Sequence, residues 1–243
     1  MKAVIVAAGM SSRLSDTTSD TPKTLLPFEN KTILYKILTN LSSAGVDEFI
    51  IVTGYKSELI ENYLKAHRNH GYDIEIVYNP DYRRANGISV LAAEKAVNGE
   101  PFILSMSDHI VTVGAIKKIL TSASNKNLLL VDEKIDDVFD IDDATKVDVE
   151  GNKIINIGKE IAQYNAIDCG IFRLNNRYFD AMRKKLQHGE ESISAAINGL
   201  ISNDDMDAVF MNEEDYWIDI DTKDAYNYAS ESLQETPVLA ATR

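Results

Sequence analysis

Near its start the chain carries the sequence KAVIVAAGMSSRL, residues 2–14, and the architecture can be worked out from this segment. Residues 2–7 form a short apolar run that is typical of a strand buried on both faces of a parallel sheet. The run is far shorter than a membrane span, and glycine and serines follow it where a signal peptide would have its cleavage site. The small residues Ala7, Ala8 and Gly9 let a ligand approach the backbone closely, although an ordinary turn has the same composition.

Apolar runs alternate with amphipathic segments through the first half of the chain. The segments that read as strands are 2–7, 48–53, 73–78, 101–106 and 127–131. The segments that read as helices are 32–44, a helix capped by Ser57, 89–97 and 114–122. Strands separated by helices of this length indicate βαβ units and a parallel sheet, in which ligands bind at the carboxyl ends of the strands.

The second half of the chain has a different order of predicted strands and helices. Residues 145–149 and 153–157 flank Gly151-Asn152 and predict a hairpin. Further strands are predicted at 166–174, 207–211 and 216–220, and further helices at 176–186, 192–202 and 222–233. We find no linker that would divide the chain, so we predict one α/β domain over residues 1–233 with a mixed sheet. Residues 234–243 have no periodicity and are predicted to be a tail or linker.

Composition limits the classes of partner. The 243 residues are 44% hydrophobic, which is enough to bury a sizeable core. Thirty-eight acidic residues against 25 basic ones give a formal charge of −13, which disfavours nucleic acid as a partner. Cys169 is the single cysteine, so the chain has no internal disulfide and fits a reducing cytoplasm. Its apolar context predicts a core position.

A second short element follows the first loop. The string Ala7-Ala8-Gly9-x-x-x-Arg13 is followed by Pro22-Lys23, after a polar stretch that could form a mobile lid (15–21). Neither the dinucleotide fingerprint G-x-G-x-x-G nor the phosphate loop G-x-x-x-x-G-K-[ST] is present in this region. The combination resembles the signature of nucleotidyltransferases that activate phosphorylated small molecules with a nucleoside triphosphate. Ser11 and Ser12 stand where the commonest form, G-x-G-T-R, has Gly and Thr.

The resemblance implies both a fold and a set of roles. The fold would be the Rossmann-like, three-layer nucleotide-diphospho-sugar transferase fold, with a mixed, mostly parallel central sheet. The backbone at Ala7, Ala8 and Gly9 would hold the nucleotide. Arg13 would bind the departing pyrophosphate, and Lys23 would bind the α-phosphate.

Two later segments match the metal site of the same family. Asp108 follows the strand at 101–106, where the family has an Asp that binds the catalytic Mg²⁺. Trp217-Ile218-Asp219 resembles the late W-x-D segment, whose carboxylate completes the site. Asp219 and Asp221 alternate so that both lie on one face of a strand, and either could be the ligand. Asp219 is the one that matches W-x-D, and Mg²⁺ suits one or two carboxylates plus substrate phosphates.

The substrate-binding residues follow from the resemblance too. Asn79, Asn86 and Gly87 match the segment where the family reads the base, although they also fit a loop that leads to an N-cap at Ser89. Lys159 resembles the lysine that binds the phosphate of the acceptor. Asp168 could hold an acceptor hydroxyl.

Softer matches indicate one branch of the family. The strings are Met106–His109, Ala144–Val147, Ile157–Lys159, Tyr164–Gly170 and Asp219–Thr222. Together they resemble the inositol-1-phosphate cytidylyltransferase domain, which often precedes a membrane-embedded transferase. The branch implies Mg²⁺-dependent transfer of CMP from CTP to inositol-1-phosphate, giving CDP-inositol and pyrophosphate. It also implies fusion to or cooperation with a membrane-embedded phosphatidyl-type transferase, which would bring this cytoplasmic domain to the inner membrane surface.

Other functions stay open. The acceptor could be phosphocholine or a sugar-1-phosphate, although the sequence shows no aromatic cage after Tyr164. The chain could also be a non-catalytic nucleotide-binding paralogue, or a glycosyltransferase with a D-x-D metal motif. Ser107-Asp108-His109 has a single Asp, and the tempting D-x-D, Asp219-Ile220-Asp221, comes late. His109 either supports Asp108 or is merely packed beside it.

Overall fold

The computed structural model describes residues 1–10 and 21–232, with the side chains of residues 231 and 232 left out. The strands are β1 Lys2–Ala7, β2 Pro27–Phe28, β3 Lys31–Thr32, β4 Glu48–Thr53, β5 Asp73–Tyr78, β6 Phe102–Met106, β7 His109–Val111, β8 Asn127–Asp132, β9 Lys146–Glu150, β10 Lys153–Gly158, β11 Ala166–Leu174, β12 Met206–Phe210 and β13 Trp217–Asp219. The α-helices are α1 Ile33–Ala44, α2 Ser57–Ala66, α3 Asn86–Ala92, α4 Glu94–Val97, α5 Val113–Thr121, α6 Arg177–Leu186, α7 Ile193–Ile201 and α8 Lys223–Ser232.

A nine-stranded sheet runs through the described residues in the order β5-β4-β1-β6-β11-β8-β12-β10-β9. β1 lies inside the sheet and pairs in parallel with β4 and β6. β11 is antiparallel to both of its neighbours in this order, and β10 is antiparallel to β12 and β9. Seven of the nine strands therefore point in one direction, which confirms the mixed, mostly parallel sheet.

Helices cover both faces of the sheet. One apolar cluster joins β1, through Ile5, to α1, α2, α5 and α8, and the other joins it, through Val4, to α3, α4, α6 and α7. Alternate residues of β1 thus serve opposite cores, as the apolar run at 2–7 predicts. Cys169 is fully buried in the first cluster, which confirms its predicted core position. The three-layer fold is confirmed.

Two predicted helix starts differ from those in the structure. α3 begins at Asn86 rather than at 89, so Ser89 lies inside the helix and does not cap it. The Ser89 hydroxyl instead accepts a hydrogen bond from the Asn79 side-chain amide at 3.0 Å. The residue before α2 is Lys56, in a left-handed conformation, so Ser57 is the first helical residue rather than the cap. At α1 the hydroxyl of Thr32 does cap the helix, accepting from the Tyr35 N–H at 3.2 Å.

Two short ribbons lie outside the large sheet. β2 and β3 form one, and β7 and β13 form the other by antiparallel pairing. β13 confirms the strand predicted at 216–220, whereas β2, β3 and β7 were not predicted, since strands this short produce a weak periodic signal. The β7–β13 ribbon begins just after the carboxyl end of β6, and it builds much of the site. Across the described ranges, no helix combines the length and apolarity needed to cross a bilayer.

Candidate active site

Two cavities meet at the carboxyl ends of β1, β6 and β8. The larger has a volume of about 810 Å³ and the smaller about 230 Å³. Both are lined by Asn86, Met106, Asp108 and Asp221. Two molecules bound in these cavities would therefore lie next to each other, with Asp108 between them, as a reaction between two bound molecules requires.

The smaller cavity opens on the loop after β1. Ala7 and Gly9 line it, together with Lys23. Open space surrounds the position that a Cβ of Gly9 would occupy. Ala8 does not line the cavity, because it is buried and its carbonyl accepts from the Tyr55 N–H at 3.1 Å. Arg13 and most of the predicted lid lie outside the described residues.

Lys23 lines the smaller cavity and pairs with two carboxylates that line both cavities. Its side chain is buried, its ammonium lies 2.6 Å from Oδ2 of Asp108, and it also pairs with Asp221. Burial alone would lower the pKa of Lys23, but the carboxylates of Asp108 and Asp221 raise it above its usual value. Burial would likewise raise the pKa of Asp108, and Lys23 holds it well below its usual range. Lys23 is therefore a fixed positive charge at the predicted metal site.

The β7–β13 ribbon completes a potential metal site. Its register puts Asp219 opposite His109, and the Ile220 N–H donates to the carbonyl of Asp108 at 2.9 Å. One potential ligand atom from each of Asp108, His109 and Asp219 lies within 4.8 Å of the others. Oδ1 of Asp219 is buried without a hydrogen-bond partner among the described residues. A hard divalent cation held by Asp108 and Asp219 would satisfy that oxygen, so these residues fit Mg²⁺.

Asp219 and Asp221 have different surroundings. Burial raises the pKa of Asp219 to about 7, and the negative charges of Asp108 and Asp221 act in the same direction, whereas His109 opposes them. A bound cation would relieve both the burial and the repulsion. Asp221 lies beyond the end of β13 and pairs with Lys23. The geometry thus favours Asp219 over Asp221 as a metal ligand.

His109 is more than a packed neighbour of Asp108. Its Nδ1 lies 2.7 Å from Oδ1 of Asp108, and its ring stacks on Trp217 with centroids 5.6 Å apart. Burial lowers the pKa of His109, but Asp219 and Asp108 outweigh that effect and raise it to about 9. The indole N–H of Trp217 donates to Oδ2 of Asp132 at 3.0 Å. In the sequence, the signal for this role was that His109 directly follows Asp108. That adjacency alone did not show whether the ring supports Asp108 or only packs beside it.

The larger cavity contains both predicted acceptor residues. Lys159 lines it and lies 2.6 Å from Oδ1 of Asp143. Asp168 lines it too, and Oδ1 of Asp168 accepts from the Gly170 N–H at 2.7 Å. Burial raises the pKa of Asp168 to about 6. Aromatic residues form another part of the wall, namely Phe139, Phe172, Tyr216, Trp217 and Tyr228.

Of the three predicted base-reading residues, the structure brings one to the cavities. Asn86 lines both, with its side-chain oxygen accepting from the Ile193 N–H at 2.9 Å. Asn79 is buried, and its amide bonds Ser89 and the backbone of Asp81. Gly87 packs against other segments of the protein rather than a cavity, since a Cβ there would lie 2.8 Å from the Met182 sulfur and closer still to the carbonyl oxygen of Glu191. For Asn79 and Gly87, internal packing explains the residue type.

Known proteins resemble this chain over nearly all of its length. The family described as "MobA-like NTP transferase domain" matches residues 3–136 of this chain. A protein of Thermococcus kodakarensis named "Bifunctional IPC transferase and DIPP synthase" is 29% identical over 98% of this chain and 51% of its own length. A protein of the same name from Aquifex aeolicus is 30% identical over 97% of this chain and 52% of its own. The chain thus spans about half the length of these curated relatives.

Solved structures share the fold. The inositol-1-phosphate CTP transferase from T. maritima matches with a TM-score of 0.83 at 24% identity, over 96% of each chain. A UDP-glucose pyrophosphorylase from Acinetobacter baumannii matches with a TM-score of 0.82 at 19% identity, over 98% of this chain and 95% of its own. The family match covers more than half of the chain, and these structures agree with it in fold. The chain belongs to the MobA-like NTP transferase domain family and is a nucleotidyltransferase.

Proposed function

We propose that the chain is a magnesium-dependent cytidylyltransferase that transfers CMP from CTP to inositol-1-phosphate, giving CDP-inositol and pyrophosphate. The observation that carries the proposal is the alignment of 97–98% of this chain with proteins named as IPC transferases. The fold neighbour named as an inositol-1-phosphate CTP transferase supports it. The joined cavities supply room for a nucleotide and an acceptor on either side of Asp108.

The proposed reaction needs no general base. A phosphate oxygen of the acceptor attacks the α-phosphorus of CTP, the bond from that phosphorus to the β-phosphate bridge oxygen breaks, and pyrophosphate leaves. A phosphomonoester has a second pKa of about 6, so it is mostly a dianion at neutral pH. The main obstacle is repulsion between two polyanions. Positioning and charge neutralisation must therefore provide most of the rate.

The residues at the junction suit that task. Lys23 holds a fixed positive charge at Asp108 and would bind the α-phosphate. Asp108 and Asp219 would hold Mg²⁺, which when bound supplies further neutralisation of the triphosphate. In the larger cavity, Lys159 would bind the phosphate of the acceptor and Asp168 would accept a hydrogen bond from one of its hydroxyls. Arg13 keeps its expected role at the pyrophosphate.

Phosphocholine is a second candidate for the acceptor. The larger cavity is lined by Phe172, which follows Tyr164, and by aromatic residues from other segments, at 139, 216, 217 and 228. Carboxylates lie in the same wall, and aromatic faces with carboxylates attract a quaternary ammonium group. A choline-phosphate cytidylyltransferase of Haemophilus influenzae is 43% identical over 88 residues, which is 36% of this chain. The ring carbons of an inositol would also pack on these aromatic faces.

A grid of substrates tests the proposal. Pyrophosphate release is measured with Mg²⁺ for the four nucleoside triphosphates, each with inositol-1-phosphate, phosphocholine and glucose-1-phosphate. We expect release with CTP and inositol-1-phosphate. Release with phosphocholine in its place would move the acceptor to the second candidate, and release with no pair from folded protein would overturn the proposal. The expected partner, a membrane-embedded transferase that uses CDP-inositol, stays part of the proposal.

A further inference from the structure

Asn86 lies at the boundary between the two cavities. It lines both of them, together with Met106, Asp108 and Asp221. Two of these four side chains are carboxylates and one is a thioether, so Asn86 is the one of the four that can donate a hydrogen bond. Phosphate oxygens accept such bonds, and these four residues border the place where two bound substrates would meet.

Helix α7 fixes the orientation of the Asn86 amide. The N–H of Ile193 is the first of that helix, and such an N–H has no acceptor within its own helix. Oδ1 of Asn86 accepts from it at 2.9 Å. The hydroxyl of Ser192 is already used, because it accepts from the Ala195 N–H at 3.1 Å. Reversing the amide would bring two N–H groups face to face, so Nδ2 must point away from α7.

The segments on either side of this bond are packed together. The guanidinium of Arg84 bonds both carboxylate oxygens of Glu191, at 2.6 and 3.2 Å. A Cβ at Gly87 would overlap the carbonyl oxygen of Glu191. Within residues 1–10 and 21–230, Nδ2 of Asn86 makes no hydrogen bond, and the residue is exposed. The structure therefore holds a donor in a fixed position at the cavity boundary.

We propose that Nδ2 of Asn86 donates a hydrogen bond to an oxygen of the α-phosphate while the acceptor attacks that phosphate. The inference rests on the proposed nucleotidyl transfer. The α-phosphorus is the atom at which the two substrates react, so it has to lie where the nucleotide cavity meets the acceptor cavity. A fixed donor there stabilises the negative charge on the phosphate oxygens in the transition state. This role differs from base recognition, which the resemblance implies for Asn86.

Asn86→Asp separates this role from the bond to α7. An aspartate keeps an oxygen for the Ile193 N–H, and a carboxylate is favourable at a helix N-terminus, so the thermal midpoint should not fall. An ionised aspartate cannot donate. We therefore expect kcat/KM to fall about 100-fold, the loss typical of removing one stabilising donor. Asn156→Asp is the matched control, because Oδ1 of Asn156 accepts from the Ile157 N–H at 3.0 Å and the residue lines neither cavity.

Asn86→Leu separates the lost donor from the added charge. Leucine has nearly the shape of asparagine, but it is neutral and has no donor. We expect kcat/KM to fall about 100-fold here too, and the thermal midpoint to fall because the Ile193 N–H loses its acceptor. Near-normal turnover in folded Asn86→Asp would leave only the bond to α7. Near-normal turnover in Asn86→Leu would leave only charge repulsion, and either result would overturn the proposal.

Base selectivity distinguishes the α-phosphate from the base. The ratio of kcat/KM for CTP to kcat/KM for UTP is measured in the wild-type protein and in Asn86→Leu. Both nucleotides carry the same α-phosphate, so we expect the ratio to stay unchanged. A ratio that changes would assign Asn86 to the base and overturn the proposal. If the wild-type protein turns over a different pair of substrates, the proposed function is corrected and the same variants are measured with that pair.

If the wild-type protein turns over no pair, the proposed function fails, and a binding measurement still tests Asn86. Protein labelled with ¹⁵N at asparagine is titrated with CTP and Mg²⁺ in the absence of an acceptor. The side-chain amide signal of Asn86 is the one that Asn86→Asp lacks. We expect this signal to shift with CTP while the side-chain signal of Asn156 keeps its position. An Asn86 signal that does not move at saturating CTP would overturn the proposal.

Discussion

The ammonium of Lys23 lies 2.6 Å from Oδ2 of Asp108 and simultaneously pairs with Asp221, a residue 198 positions away in sequence. One cation thus neutralises two carboxylates at the junction of the cavities. When a nucleotide phosphate takes Lys23 as its partner, those carboxylates lose part of their neutralisation. A divalent cation at Asp108 would replace it. The proposed roles of Lys23 and Asp108 therefore predict that nucleotide binding and metal binding are coupled at this point.

Removal of that ammonium is the first test. We expect Lys23→Ala to lower kcat/KM by at least ~100-fold, the size seen when one charge-stabilising group is lost. Lys36→Ala removes a partly exposed lysine that pairs with Glu29, outside both cavities, and is the control. Steady-state kinetics with thermal unfolding of both variants measures the effect. Near-normal turnover in folded Lys23→Ala would contradict the assignment.

The two late carboxylates give a second test. Oδ1 of Asp219 is buried and makes no hydrogen bond among the described residues, whereas Asp221 pairs with Lys23. We expect Asp219→Asn to raise the Mg²⁺ concentration for half-maximal activity more than Asp221→Asn does. Activity is measured across a Mg²⁺ titration for both variants. The reverse order would assign the metal to Asp221.

A pair of glycines separates backbone strain from crowding. Gly170 and Gly189 have nearly the same φ, +73° and +76°, but a Cβ at Gly170 would overlap His109 whereas a Cβ at Gly189 would meet nothing within 4 Å. We expect Gly189→Ala to cost about 1 kcal/mol of unfolding free energy, from the left-handed conformation alone. Gly170→Ala should cost about 1–3 kcal/mol more, because the new methyl group must displace the ring, and it should also impair activity.

Urea denaturation gives the unfolding free energy of both glycine variants, and steady-state kinetics measures the loss of activity in Gly170→Ala. Equal losses of stability in the two variants would mean that the His109 ring moves aside at no cost. That result would contradict the close packing of the ring against Gly170.

The carboxyl group of Asp168 predicts a pH dependence of stability. Burial raises its pKa from the ordinary 3.8 to about 6, so the folded state favours the protonated form. The contribution of this group to the free energy of unfolding is fully present below its pKa in the unfolded chain. It is lost as the pH rises from about 4 to about 6. One pKa unit corresponds to about 1.4 kcal/mol. Since the side chain is partly exposed, we expect Asp168→Asn to gain about 1–2 kcal/mol near pH 7.

The asparagine retains an oxygen for the Gly170 N–H, so the comparison isolates the charge. Urea midpoints are measured without substrate or metal between pH 4 and about 8. The variant and the wild-type protein should agree at the acid end and diverge above it. A constant difference at every pH would show that the charge of Asp168 is not its source.

The order of the main elements was predictable because it depends on local patterns. The run at 2–7 is apolar throughout and lies inside the sheet, as such runs do in parallel sheets. The start of α3 was not predictable, since Ser89 bonds Asn79 instead of capping a helix. Strand β7 was missed because three residues carry no periodicity.

The site was predictable where a short string carries the chemistry. Lys23, Asp108 and Asp219 come together as the resemblance implies, although they lie far apart in the chain. Gly87 has a different explanation, since the segment that excludes its Cβ lies about a hundred residues later. The aromatic wall of the larger cavity was missed because its residues also lie far apart in the chain. Phe139 and Tyr228 stack with centroids 5.0 Å apart, and a linear pattern does not reveal such a pairing.

The most direct test of the central claim follows both products in one tube by ³¹P NMR, with CTP, inositol-1-phosphate, Mg²⁺ and the protein. The account predicts the paired signals of a pyrophosphate-bridged CDP-inositol together with an equal amount of free pyrophosphate, and neither product with Asp108→Ala. Release of CMP with pyrophosphate and no bridged product would mean that water is the acceptor. That result, or unchanged spectra from folded protein, would contradict the account.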